Sequence, residues 1–416
     1  MPTFTICRAS VFVLSLAAIG LALFQLLQER SGVLRETLTI GTTPAVSYRL
    51  GEGDPGPAVI IAHGFAGSQQ LMQAYALTLA RSGYRVLTFD FEGHGRNPVP
   101  MSGDVSSPEG TTRKLMNQIG TVIEAGKARF GVSEVALLGH SMATDVLARV
   151  EAEREDVAAL VAVSMYSEVV TDAAPKRLLM ITGAGEPHLR AFALEAVQDV
   201  SEGATEGETV EADGVVRRAV VAPGVEHVGV LFSGTALGEA RAFLDRTFER
   251  QSDGPILRHG PWVALLLAGL VSLSWPLAAL FPMGVAPVTV PSWRVVAAAC
   301  LLPALTVPPF LSLFETRILP VLVADYVALH LALYGIAQSG VLWVAGVRPR
   351  LGPIWPVLPL LVMALGAFGL ALDTFGASFV PHTGRFPIVA AIALGAVPFA
   401  LSDAATLGAG HAHWLK

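Results

Sequence analysis

Charge is spread along this chain so unevenly that its two halves belong in different solvents. Residues 31–258 hold 20 Lys/Arg and 29 Asp/Glu, whereas residues 259–416 hold only 6 and 4. With a mean hydropathy of +0.56 and 52% of residues in the hydrophobic set, the chain is too apolar for a single soluble domain. The second half divides into apolar stretches at roughly 262–282, 294–314, 319–345, 354–372 and 386–405, separated by Pro, Gly or charged residues. Each is close to the ~20 residues a helix needs to cross hydrocarbon. The uncharged run VFVLSLAAIGLALFQLL at 11–27, preceded by Arg8, makes a sixth. A retained anchor fits it better than a cleaved signal peptide, because QERSG follows Leu27 and offers no small-x-small cleavage site. The division of 294–345 leaves the count open by one. Pro276, Pro303 and Pro308 fall inside these segments, where neighbouring helices can satisfy the freed carbonyls.

Three regions are therefore expected: an N-terminal anchor over 1–30, a globular domain over 31–258, and a C-terminal membrane region over 259–416 with about five spans. With a cytoplasmic N-terminus, Arg8, Arg294, Arg348, Arg350 and Lys416 fall inside, Arg317 and Arg385 outside, and the globular domain becomes extracytoplasmic. Arg30, Arg35, Arg250 and Arg258, close to the membrane on the outer side, weigh against that orientation. The two cysteines, Cys7 and Cys300, lie in or beside apolar segments, which excludes a disulfide framework. The acidic globular domain has no basic stripe that could neutralise phosphates, and nucleic acid is not expected as a partner.

Within the globular domain, short apolar runs alternate with helical patterns. Strands are expected at Val46–Leu50 (an edge), Ala58–Ala62, Tyr84–Phe89, Val135–Leu138, Ala158–Ser164, Arg177–Thr182 and Val215–Ala222. Helices are expected up to Arg81 and over about 111–130 and 142–152. Such alternation gives an α/β fold, a mostly parallel sheet covered on both faces, whose ligands gather at the carboxyl ends of the strands. The acidic, Gly-containing stretch 199–214 reads as a solvated loop.

The chemistry is expected at those strand ends. Val135–Leu138 runs directly into Gly139-His140-Ser141-Met142-Ala143, a pattern in which a serine sits at the apex of a sharp strand-to-helix turn. A serine hydroxyl needs a base, and His227, closing the segment VVAPGVEH after the last strand, is the candidate. The imidazole in turn needs a carboxylate. Glu186 in ITGAGEP follows the preceding strand, with Glu168 and Asp172 as rivals. Backbone N–H groups of Met142, directly after the serine, and of Phe65, in His63-Gly64-Phe65-Ala66-Gly67, are placed to hold a developing oxyanion. Asp90 and His94 in DFEGHG are expected to be structural, and His140 to orient or pack the turn. Phe65, Met101 and Met142 are candidates for an acyl-binding entrance.

Taken together, HGFAG at 63–67, DFEGHG at 90–95, GHSMA at 139–143, ITGAGEP at 181–187 and PGVEH at 223–227 resemble the α/β-hydrolase superfamily over nearly all of residues 44–248. The resemblance implies the α/β-hydrolase fold, Phe65 and Met142 as the oxyanion hole, and a Ser141–Glu186–His227 triad. Ala143 replaces the usual second glycine of the turn, and Glu186 the more frequent aspartate. Only about a dozen residues separate the strand ending near Ser164 from the next, so any cap there is minimal. No cofactor is expected, since no zinc site, dinucleotide fingerprint or phosphate loop is present, and His411 and His413 form a polar end. Hydrolysis of an ester or related acyl bond is the first expectation, with a lipid-like substrate suggested by the membrane segments. A peptidase of the same fold, or a transporter using Asp325 and His330 beside Tyr326 and Tyr334, remain alternatives.

Overall fold

The computed structural model describes residues 2–51, 56–104, 107–280, 291–316, 318–319, 321, 323–348 and 357–407. Arg317, Arg350, His411, His413 and Lys416, all invoked above, lie outside the described residues. By contact the chain forms two compact units, Met1–Leu277 with Ala364–Val380, and Ala278–Met363 with Pro381–Lys416.

The first unit is built on nine strands: β1 (Val33–Ile40), β2 (Thr43–Leu50), β3 (Ala58–Ala62), β4 (Arg85–Phe89), β5 (Val135–His140), β6 (Val157–Val163), β7 (Arg177–Gly183), β8 (Thr209–Ala212) and β9 (Val215–Ala222). They form one sheet in the order β1-β2-β4-β3-β5-β6-β7-β9-β8. The six strands from β4 to β9 across the middle run parallel, and antiparallel pairs β1/β2 and β8/β9 close the two edges. Residues alternate between two apolar layers, which explains why these strands read as unbroken hydrophobic runs. Val59 and Ile61 pack in one layer with α2 (Gln73–Arg81) and α6 (Gly234–Thr247). Ile60 and Ala62 pack in the other with α3 (Arg113–Phe130), α4 (Met142–Ala152) and α5 (Pro187–Gln198).

Two expectations are corrected at the edges. The run around Val46 is not the edge strand, because β1 pairs with all eight residues of β2 outside it. The acidic stretch 199–214 is not loop throughout, since Thr209–Ala212 adds to β9 as β8. Both strands escape a search for apolar runs for one reason. Only Val33 of β1 and Val210 of β8 are buried, so solvent-facing side chains dominate each pattern.

Among the described residues, six helices are long and apolar enough to cross a membrane, in the six places read from the sequence: Cys7–Arg30, His259–Ala278, Trp293–Leu311, Ala324–Val344, Leu358–Phe375 and Thr383–Thr406. The first lies in α1 (Pro2–Arg30), and the next three are α7 (His259–Ala278), α8 (Trp293–Leu311) and α9 (Ala324–Val344). The fifth comprises α10 (Val357–Leu361), a π-helical stretch Val362–Phe368 and α11 (Gly369–Phe375), and the sixth holds α12 (Phe386–Leu407). α1, α7 and α11 belong to the unit that carries the sheet.

In the second unit, α9 and α12 touch through glycines. A Cβ on Gly335 would lie 2.1 Å from the Phe399 nitrogen, and one on Gly395 2.3 Å from the Ala328 carbonyl oxygen. Ser402 donates to Gln338 across this contact at 2.6 Å. Asp325 accepts from the backbone N–H groups of Ile318 (2.8 Å) and Leu319 (3.0 Å), while His330 lies between the rings of Tyr326 and Tyr334. The carboxylate and the imidazole thus have separate partners.

Where backbones approach this closely, a side chain must push the helices apart, at a cost of at least about 1–3 kcal/mol. Gly335→Leu is expected to lower the thermal unfolding midpoint in detergent by several degrees. Gly340→Leu, on the open face of the same helix with nothing within 4 Å, is expected to leave it unchanged or raise it. Equal effects from the two would contradict the close packing of α9 on α12.

Candidate active site

The parallel register brings the ends of five strands to one edge of the sheet. Ala62 pairs with Gly139, Gly139 with Ala162, Val163 with Ile181 and Gly183 with Ala222. The segments that follow carry Phe65, Ser141, Ser164, Glu186 and His227.

Ser141 turns the chain from β5 into α4 with φ 53° and ψ −124°. A non-glycine residue held there costs of order 1–3 kcal/mol and persists only where its surroundings fix it. Its N–H donates to the Val163 carbonyl at 2.9 Å, and its own carbonyl accepts from the Thr144 N–H (2.8 Å) and hydroxyl (2.7 Å). Two glycines give it room. A Cβ on Gly139 would meet Leu147 Cδ1 at 2.5 Å and the Ala143 methyl at 3.2 Å, so a methyl is accommodated at 143 because 139 has none. A Cβ on Gly64 would stand 3.0 Å from His140 Nδ1, the His140 carbonyl and Ser141 Cβ, so only glycine lets the HGFAG backbone come this near the serine.

His227 reaches Ser141 and Glu186 at once. Its Nε2 lies 2.9 Å from Ser141 Oγ, and its Nδ1 2.6 Å from Glu186 Oε1. A carboxylate can only accept, so Nδ1 carries the proton and Nε2 presents its lone pair to the serine hydroxyl. The other oxygen of Glu186 accepts from the Gly183 N–H at 2.7 Å and the Ser164 hydroxyl at 2.8 Å. These donors compensate burial of a carboxylate whose side chain is 6% exposed, against 45% for His227. Glu186 also precedes Pro187 at the N-terminus of α5, where a negative charge is favoured. Glu168 and Asp172 are exposed on the segment after β6, and Glu186 is the carboxylate at His227.

Three further histidines brace these loops. His140 donates from Nε2 to the His227 carbonyl at 2.8 Å, and its buried Nδ1 has no partner. Burial pulls its pKa down to about 4. His63, fully buried, donates from Nδ1 to the Gly64 carbonyl (2.8 Å) and accepts at Nε2 from the Phe91 N–H (3.1 Å), tying HGFAG to DFEGHG. Burial lowers it to about 3. His94 bonds the Glu92 carbonyl at 2.9 Å, and Asp90 accepts from the backbone of Gln69 (2.8 Å) and Arg96 (2.9 Å). Both hold loop structure, as expected. The Met142 N–H, at the first position of α4, has no intrahelical acceptor. The Met142 side chain packs partly into the core, whereas Phe65 is 55% exposed at the site mouth. Met101 lies against Gly93, where an added Cβ would come within 2.3 Å of its own.

Ser164 and His63 carry no role in the sequence reading. Ser164 could have been suspected as a polar residue ending an apolar strand beside a buried acid, but the contact joins residues 22 apart. Residues 164–176 contain no helix, so no helical cap is inserted between β6 and β7, and Tyr166 there is 58% exposed.

Residues 53–222 match the family model described as "Serine aminopeptidase, S33", a hydrolase model, over less than half of the chain. An epoxide hydrolase from Caballeronia sordidicola is 30% identical over 98 residues, a stretch covering 24% of this chain and 27% of that relative. Among solved structures, TT1662 from Thermus thermophilus is 22% identical with a TM-score of 0.39, over 53% of this chain and 99% of its own. A predicted CIB-like hydrolase from Thermoplasma acidophilum is 16% identical with a TM-score of 0.41, over 51% and 98%. The globular part has the α/β-hydrolase fold, and Ser141 stands at the turn from β5 into α4.

His63 and His140 make stability depend on pH in a defined window. In the folded chain they stay neutral down to about 3 and about 4. In the unfolded chain both protonate near the ordinary histidine value of roughly 6.5. Above that pH they contribute nothing. As pH falls below it, the unfolded state binds protons the folded state refuses, and stability drops by up to about 1.4 kcal/mol per pH unit for each. Denaturant titrations between pH 6.5 and 5 are expected to show this slope, reduced by about half in His140→Asn. A variant slope equal to that of the parent would contradict burial of the neutral imidazole.

Proposed function

We propose that this chain is a membrane-anchored serine hydrolase that cleaves a carboxylic ester or related acyl bond through an acyl-serine intermediate. The observation that carries the reading is the continuous hydrogen-bonded chain Ser141–His227–Glu186 at the turn after β5. In the proposed reaction, His227 Nε2 takes the proton of Ser141 Oγ as the oxygen attacks the substrate carbonyl. Glu186 holds the imidazole in the tautomer that can do this and stabilises the imidazolium that forms. The N–H groups of Met142 and Phe65 receive the oxyanion, His227 returns the proton to the leaving group, and a water activated by His227 then releases the acid.

A hydroxyl nucleophile also bears on the choice among hydrolases. Serine attack on an epoxide carbon would leave an ether with no carbonyl for water to attack, whereas an acyl-serine turns over. The family match favours peptide amides as a second reading, since they pass through the same intermediate. Exposed Phe65, after Gly64, and Val228, after His227, suit an acyl chain, whereas the exposed Glu226 carboxylate before His227 suits a peptide's charged amino end. Arg8, Arg294 and Arg348 favour an extracytoplasmic globular domain, against Arg30, Arg35, Arg250 and Arg258 beside its own ends, and the six apolar helices support integral membrane location.

A fluorophosphonate probe is expected to label Ser141 in the detergent-solubilised chain, with labelling abolished in Ser141→Ala. On p-nitrophenyl esters of graded chain length, His227→Gln and Glu186→Gln are each expected to lower kcat by about 10³–10⁴ with little change in KM. Labelling that persists in Ser141→Ala, or full activity in His227→Gln, would overturn the assignment.

A further inference from the structure

Three membrane-length helices end together on the unit that carries the sheet. Glu29, in the last turn of α1, lies 2.7 Å from Nδ1 of His259, the first residue of α7. The other nitrogen of His259 lies 2.8 Å from the carbonyl of Phe375, the last residue of α11. The Arg30 guanidinium covers the Phe375 ring at 4.2 Å. These bonds hold the three helix ends together, at a level that would be the surface of a bilayer crossed by helices of this length and composition.

The loops of the active site reach the same level. Ser378, three residues beyond Phe375, donates its N–H to Ser68 Oγ at 3.0 Å, and Asp373 pairs with Arg96. Ser68 directly follows HGFAG and Arg96 directly follows DFEGHG. On the segment after His227, Phe232 abuts the start of α7, where a Cβ on Gly260 would stand 2.5 Å from Phe232 Cβ. A chain extends at most about 3.5 Å per residue, so Ser68 is within roughly 14 Å of Gly64, and Phe232 within roughly 18 Å of His227. Gly64 touches the nucleophile itself. On these two segments the exposed large apolar side chains are Phe65, after Gly64, and Val228, after His227, with the Glu226 carboxylate exposed on the far side of His227.

From this placement we infer that the site opens onto the bilayer surface and takes an acyl ester lipid out of the leaflet that meets the ends of α1, α7 and α11. The inference rests on the serine-hydrolase reading and names the substrate class for it. A lipid lifted by part of its length brings its ester to Ser141 while its chains stay in hydrocarbon and the apolar rim shields the methylenes between. A soluble ester gains nothing from that arrangement. Hydrolysis is balanced by one water, giving a free fatty acid and the alcohol.

The test uses the full chain reconstituted in dioleoylphosphatidylcholine vesicles that carry dioleoylglycerol, mixed with enzyme-free vesicles of the same composition whose oleate bears a different isotope. Rates are normalised to the Ser141 that fluorophosphonate labels. Oleate from the enzyme's own vesicles is expected at least tenfold faster than from the others, and not at all in Ser141→Ala. Labelled Ser141 with p-nitrophenyl butyrate turnover, but with equal oleate rates from both vesicle populations or none from either, would overturn this inference alone. Absence of labelling would instead overturn the serine-hydrolase reading beneath it.

Discussion

Ser141 sits at a positive φ that its own side chain disfavours, and the rest of the sheet edge is arranged around keeping it there. The turn works because Gly139 leaves room for Ala143 and Leu147, and because Gly64 lets a second loop pass against the serine. Adding a methyl at either glycine forces the elbow or the HGFAG loop to move. The bond from Ser141 N–H to Val163 then ties the apex to β6, so the position of the serine is fixed by the sheet and not by a loop. The parallel register makes this possible, since it delivers every site-bearing segment to the same edge.

From that fixed point the site grades from dry to wet. Glu186 is buried with both oxygens bonded, His227 is half exposed, and the face beyond it carries no inserted cap between β6 and β7. The neutral His140 and His63 hold the backbones on either side, one under His227 and the other beneath Gly64. Beside these loops, Asp373 within α11 pairs with Arg96, and Ser378 after α11 donates its N–H to Ser68.

Much of this was legible in the sequence because the site follows strands that are apolar on both sides. Runs such as Ala58–Ala62 and Val135–Leu138 announce themselves, and each chemical residue follows one. The exposed edge strands β1 and β8 do not, since a single buried side chain in each leaves no pattern to read. The bonds of Ser164 to Glu186 and of His140 to the His227 carbonyl join residues 22 and 87 positions apart, which spacing cannot disclose. Glu168 and Asp172 stayed open as rivals because both follow a strand, as Glu186 does. Only the three-dimensional course of the segment after β7 brings one acid to the imidazole.

Acyl transfer to Ser141 is the step on which the functional reading turns, and it leaves a mass on one peptide. The direct measurement is an acid-quenched reaction with p-nitrophenyl butyrate, analysed by mass spectrometry of the peptide that contains Ser141. The expected result is a butyryl adduct on Ser141 that decays when substrate is exhausted and is missing in Ser141→Ala. Sustained turnover with the adduct on another residue, or undiminished turnover in Ser141→Ala, would contradict it.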